Sequence, residues 1–315
     1  MRAVSRPTPR TVRRLALASV VANAAIVVTG GAVRLTASGL GCPTWPRCTE
    51  TSYTPTAEYA VHGVIEFGNR LLTFALTAVV LATLVAVWRA RPVRPGMRRL
   101  AVLLFLGIPA QAVLGGITVL TGLNPWTVMG HFLLSMVLIA VAVVLHQRAS
   151  EGDLAPRPTV GAGLRGLMAA LLGVTAVTLA LGTLVTGSGP HSGDPAAGRT
   201  GLDPATVSQL HADAVMLLVG MTVATWVALR ATGADRRLTR ALGVLLAVEL
   251  AQGLVGYVQY FTGLPVLLVG LHLAGACVVL VAAVRVVLAT RDRGAVGERE
   301  PVPGVPAVPL SRQPA

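Results

Sequence analysis

Eight nearly uncharged stretches recur along this chain, each close to the length that crosses a bilayer: about 15–35, 62–88, 98–120, 127–147, 164–186, 206–230, 238–261 and 266–289. A membrane span needs about 20 apolar residues at 1.5 Å of rise each. Inside hydrocarbon every backbone amide must find its partner within the protein, which leaves the helix as the form for single apolar segments. The pattern predicts an all-α fold: a polytopic membrane protein with eight transmembrane helices. A mean hydropathy of +0.71 with only 12% charged residues is far outside the range of a water-soluble or disordered chain.

The net charge of +13 would suit a nucleic-acid partner, but its placement argues against one. Every basic residue is Arg. Arg2, Arg6, Arg10, Arg13 and Arg14 precede the first span, and Arg89, Arg91, Arg94, Arg98 and Arg99 gather around the link between spans 2 and 3. Further clusters lie between spans 4 and 5, between spans 6 and 7, and after span 8. The opposite loops hold only Arg34, Arg47 and Arg199. The positive-inside rule then expects a multi-pass protein of a bacterial-type plasma membrane with both termini cytoplasmic. The first span, with no small-residue cleavage site after it, is expected to stay as an anchor. Residues 1–14 read as an Arg-rich cytoplasmic start, and the Pro-rich stretch 291–315 as a disordered cytoplasmic tail.

The chain repeats itself. QAVLGGITVLTGLNPWTVMGH (111–131) aligns without a gap on QGLVGYVQYFTGLPVLLVGLH (252–272), at an offset of 141 residues. Both carry Gln, then Gly four positions on, then Thr-Gly-Leu, then His. RLTASGLG (34–41) matches TLVTGSGP (183–190) more weakly, and the start of the second span pairs with the start of the sixth, setting Asn69 against His211. The expected organisation is two tandem four-helix bundles, 15–150 and 160–290. Parallel repeats also occur in transporters, so a small-solute transporter is one functional reading.

On this topology His131, His211 and His272 fall near the outer ends of spans 4, 6 and 8, with Asn69 of span 2 at a comparable depth. Two neutral imidazoles on facing helices suit the axial positions of a heme iron. Zinc would want further nitrogen or sulfur ligands, and none stands at this depth. Ordinary hydrogen-bonded histidines are the alternative. Asn69 is a poor iron ligand, so the first half would grip a heme on one side only. His62 and His191 read as a helix-start and a loop residue, His146 as interfacial, and Cys277 as a packed residue.

Glu66, Asn69 and Arg70 occupy positions i, i+3 and i+4 of the second span and share one face. Arg70 has two expected partners, Glu66 or a heme propionate. Glu66 either completes an ion pair or handles protons beside a substrate.

TASGLGCPTWPRC (36–48), IEFGNRL (65–71), LHAD (210–213) and the two Thr-Gly-Leu…His segments together resemble the heme A synthase family over about 15–290. The resemblance implies an oxidoreductase that converts a methyl group of heme O to the formyl group of heme A, in the course of cytochrome c oxidase assembly. It implies that His211 and His272 ligate a resident heme b in the C-terminal half. It likewise implies that His131 ligates the substrate heme in the N-terminal half and that Glu66 is the essential acidic residue beside it. Asn69 departs from the family's usual His, which bears on how substrate heme is held; Asn69 and Arg70 are kept as candidate contacts to it. Cys42 and Cys48 match a cysteine pair of the first outer loop. A disulfide there agrees with an oxidising compartment, and its short loop predicts a modest entropic gain. Expected partners are heme O, a heme O synthase, membrane lipid, and an electron donor that is an iron–sulfur protein or a quinol. The rival within redox chemistry is a diheme b-type electron carrier.

Overall fold

A computed structural model describes residues 6–296. Arg2, and residues 297–315 of the expected tail, lie outside the described residues. Eight long helices account for the eight expected spans: α1 (Pro9–Leu35), α2 (Ala60–Arg89), α3 (Pro95–Leu120), α4 (Pro125–Arg148), α5 (Ala162–Ser188), α6 (Pro204–Ala231), α7 (Arg236–Phe261) and α8 (Val266–Leu288). All eight are long and apolar enough to cross a membrane. Large apolar side chains such as Phe74, Leu103, Leu254 and Leu267 stand exposed on their outer faces, as a lipid-facing surface requires. The chain is a multi-pass membrane protein.

The helix ends follow from local chemistry. Pro opens α1, α3, α4 and α6, where its missing N–H costs nothing. Thr8, Asn124, Asp203 and Asp235 cap α1, α4, α6 and α7 by accepting backbone N–H groups. At Asp203 the hydrogen bonds from the Thr206 side chain and backbone hold the carboxyl below its usual range. The repeated Thr-Gly-Leu is a helix stop. Gly122 and Gly263 adopt left-handed backbone (φ 61° and 78°), and the N–H groups of Leu123 and Leu264 reach back to Thr118 and Gln259.

α1 packs on α2 and α4, α2 on α3, and α3 on α4; α5 packs on α6 and α8, α6 on α7, and α7 on α8. One buried apolar cluster draws on α1–α4 and a second on α5–α8. A third joins them through α1, α4 and α8, with Val27, Ile139 and Leu280 at its centre. Gly31 lets Leu273 of α8 lie directly on α1.

Two further contacts join the halves. At the end where α1 and α5 finish, Arg34 Nε donates to the carbonyl of His191 (2.6 Å) and Nη2 to that of Thr186 (2.9 Å), while Gly39 N–H donates to Gly193 O at 2.8 Å. At the opposite, arginine-rich end the N–H of Gly152, just past α4, donates to the carbonyl of Gly294, just past α8, at 2.8 Å. There β2 (Arg291–Asp292) pairs antiparallel with β1 (Arg157–Pro158) of the α4–α5 link. The start of the segment expected to be disordered thus finds a partner strand.

Candidate functional site

Near the end where α1 finishes, each even-numbered helix sets its polar residue against a glycine of the helix before it. A Cβ at Gly115 would lie 3.1 Å from His131 Cε1, one at Gly182 3.1 Å from His211 Cε1, and one at Gly256 3.3 Å from His272 Cε1. In the first pair a Cβ at Gly30 would lie 3.8 Å from Asn69 Nδ2. The glycines are seats: the missing side chain is the space the ring fills. Gly115 and Gly256 stand in the sequence repeat, but nothing in the letters assigns them this task. The repeated Gln braces α4 in the first half, where Gln111 Nε2 donates to His131 O (3.1 Å) and to Ser135 Oγ (2.6 Å).

In the second half His211 and His272 meet. Their ring centroids are 6.4 Å apart and their planes cross at 81°. His211 Nδ1 donates to the backbone carbonyl of Thr178 at 3.0 Å, which assigns its proton and leaves the Nε2 lone pair available. Two metal–imidazole bonds of about 2 Å each, with the inner radii of both rings, span about 6 Å. The observed centroid separation is of that size. No group of three or more His, Cys, Asp or Glu that would suit a tetrahedral ion occurs among the described residues. The pair therefore suits a group that brings its own equatorial ligands, as a porphyrin does. Filling the His211 seat should empty it of pigment: Gly182→Val is expected to displace the ring and remove most heme absorbance per chain while the protein still assembles, as size-exclusion and absorbance together would read.

The first half is built differently. It sets an amide, Asn69, where the second half has His211. His131 Nδ1 and Asn69 Oδ1 are buried with no hydrogen-bond partner among the described residues, as is His272 Nδ1 in the second half. Such orphans are costly in an apolar interior unless something satisfies them. Alongside, Cys42 and Cys48 form a disulfide, and α2 clamps the loop that it closes. Glu66, 6% exposed, accepts the Cys42 N–H on Oε2 (2.7 Å) and two bonds from Arg70 on Oε1 (2.6 and 3.1 Å). Arg70 also donates to the carbonyls of Cys42 (2.9 Å), Thr44 (3.1 Å) and Arg47 (3.1 Å). Glu66 is one of its two expected partners. The Trp45 ring lies on Gly116, beside the His131 seat, so the clamped loop covers α3 at that level.

The remaining candidates act as supports. His62 Nδ1 meets Ser38 Oγ at 2.9 Å, His191 Nε2 donates to Leu264 O at 2.9 Å, and His146 Nδ1 lies 3.3 Å from Arg13 O. Cys277 is a buried free thiol. One group escaped the sequence reading altogether. Glu249 of α7 is 3% exposed and accepts from Thr222 Oγ1 at 3.0 Å.

Comparison with known proteins bears on the same residues. The chain is similar to the heme A synthase of Symbiobacterium thermophilum, 30% identical over 184 residues that make up 56% of this chain and 59% of that protein. It is similar to the heme A synthase of Lysinibacillus sphaericus, 31% identical over 145 residues (46% and 47%), and to that of a Methylobacterium species, 32% over 146 residues (43% and 40%). The chain thus spans between two fifths and three fifths of the length of these curated relatives. A family model described as cytochrome oxidase assembly protein, COX15-CtaA, matches residues 13–191, a shorter range than the 15–290 of the resemblance. It takes in the clamped loop, Glu66 and His131, and ends before His211. Matched over more than half its length, this membrane protein belongs to the COX15-CtaA family.

Proposed function

We propose that this chain is a heme A synthase: it oxidises a methyl group of heme O through successive hydroxylations to the formyl group of heme A. In this reading His211 and His272 hold a heme b as electron relay in the second half, and the first half holds the substrate. The observation that carries it is the imidazole pair, 6.4 Å between centroids, each ring on its own glycine. The same seat recurs under His131, with an amide at the fourth position.

Heme b, when bound, supplies reversible one-electron transfer. The chain's own residues do the rest. The Thr178 carbonyl orients His211, and Gly182 and Gly256 set the depth of the two rings. His131 offers the substrate iron one imidazole. Asn69 offers an amide that hydrogen-bonds but ligates poorly, so the substrate is gripped on one side and its other face stays accessible. With dioxygen as the oxidant, each hydroxylation puts one oxygen atom on the methyl carbon and reduces the other to water. Two electrons come from the carbon and two from the donor, and loss of water from the doubly hydroxylated carbon leaves the aldehyde. Glu66 is the acid–base group for this work. Its Oε2 accepts only the Cys42 N–H and keeps a lone pair for a proton, while protonation would weaken the ion pair that Oε1 makes with Arg70.

The arginine-rich end lies in the cytoplasm of a bacterial-type plasma membrane, and the disulfide loop faces the opposite side. Electrons come from an iron–sulfur protein or a quinol. A heme O synthase delivers the substrate, since free heme is insoluble and reactive. The test is to express the full chain with a heme O supply, extract its pigments and separate them by chromatography. Heme A or its hydroxylated intermediate is expected. Unmodified heme alone would make the protein a diheme carrier, and no heme at all would end both readings.

A further inference from the structure

The second half buries a carboxylate for which the chemistry above has no use. Glu249 lies midway along α7, with the fully buried Thr222 of α6 donating to Oε1 at 3.0 Å. Its other oxygen has no partner among the described residues. An ionisable group so placed in a membrane span is expensive and is seldom kept without a task.

The fold itself does not ask for it. The offset that aligns Gln111 with Gln252 and His131 with His272 sets Ile108 at the place of Glu249. The pairing of Asn69 with His211 sets Val80 at the place of Thr222. Val80 and Ile108 are buried in one apolar cluster, 1% and 7% exposed. The first half therefore fills the corresponding positions with two aliphatic side chains, and the second half exchanges both of them for a hydrogen-bonded polar pair.

The pair also sits in line with the imidazoles. Glu249, Gln252 and Gly256 are spaced i, i+3 and i+7 and share a face of α7, and Gly256 is the seat of His272. Seven residues of helix put Glu249 about 10 Å below that seat. The gap is too long for contact and short enough for one charge to feel another in an apolar interior. Between them Gln252 Oε1 also lacks a partner. The neighbouring helices α6 and α8 carry His211, Asp213, Arg230, His272, Cys277 and Arg285, and none of these hydrogen-bonds to Glu249 among the described residues.

We infer that Glu249 is a proton-uptake site coupled to electron residence in the second half, an inference that rests on the proposed heme b site. With heme b held by His211 and His272, its one-electron reduction by the iron–sulfur protein or quinol would be matched by Glu249 binding one proton from water. COO⁻ becomes COOH, and the charge of the interior is unchanged. When the electron leaves, the proton leaves. Thr222 serves both states, because a hydroxyl donates to a carboxylate and accepts from a carboxylic acid. A ferric porphyrin core between two neutral imidazoles carries one positive charge that ionised Glu249 would balance. Without the uptake, reduction would leave the carboxylate uncompensated in a medium that penalises it.

The experiment is potentiometric titration of the heme bands of the purified, heme-loaded full chain across a pH series. In the wild type the reduction equilibrium should weaken with rising pH, by up to tenfold per unit where Glu249 titrates. In Glu249→Gln it should be flat there, and Glu249→Asp should restore the slope. The double variant Thr222→Val/Glu249→Ile, which installs the residue types the first half already packs, should be flat as well and guards against misfolding of the single variant. Infrared difference spectra should show a carboxylic acid band appearing on reduction in the wild type and missing in Glu249→Gln. A pH-independent wild-type midpoint, a slope that survives in both variants, or loss of heme from both would overturn the inference while leaving the heme site intact. A wild-type protein that binds no heme would overturn the proposed function and this inference with it.

Discussion

Alanine at both His211 and His272 is expected to strip the second half of its pigment, with heme affinity falling by more than about 100-fold, since outer-shell changes at metal sites alone cost 10–100-fold. In the proposed site each ring would supply one bond to the iron, and the apolar walls that remain would have no directional hold on it. A single replacement should leave a weaker, five-coordinate spectrum, because the surviving imidazole is still seated on its glycine, Gly182 for His211 and Gly256 for His272. His131→Ala should leave this pigment untouched, as it belongs to the other cluster of helices. Soret absorbance per chain, read beside a thermal melt, checks all three. Unchanged absorbance in the double variant would remove the imidazole pair from the site.

The second large effect concerns the clamp on α2. Arg70→Ala leaves the Glu66 carboxylate buried without its cation and frees three loop carbonyls at once. Breaking one side of a buried pair costs about 3–5 kcal/mol, and with Arg70 partly exposed the lower end, about 3 kcal/mol, is expected. The loop between Cys42 and Cys48 should become open to protease and to reductant. Glu66→Gln should be milder for stability, because the amide oxygen still accepts from the Cys42 N–H and Arg70 keeps its carbonyls. Product formation should nonetheless fall steeply. Melting temperatures of the two variants, set against their heme A yield, separate the roles. A Glu66→Gln protein that melts and turns over as the wild type does would dismiss Glu66 as the acid–base group.

Much of this was visible in the letters, for identifiable reasons. Hydrocarbon permits so few backbone forms that eight apolar runs had to become eight helices, and Thr-Gly-Leu read as a repeat because both halves stop a helix with the same left-handed turn. The cysteine pair was visible as a loop pair. Its anchorage was not, since the Glu66–Cys42 and Arg70–Thr44 bonds join residues more than twenty positions apart and use backbone atoms that carry no sequence signature. Arg34 looked like a stray outer-loop charge and proved to be a strut between two loops. Glu249 belongs to no motif, and only its alignment with the aliphatic Ile108 of the first half marks it.

The Gly152–Gly294 hydrogen bond and the Arg34 strut join the two halves at opposite ends of the molecule. A carrier of solutes must open to each side in turn, and stitches at both poles oppose such rocking. Electrons need no doorway. They tunnel, and a tunnelling rate is kept by holding donor and acceptor at a constant gap, which is what a frame riveted top and bottom provides.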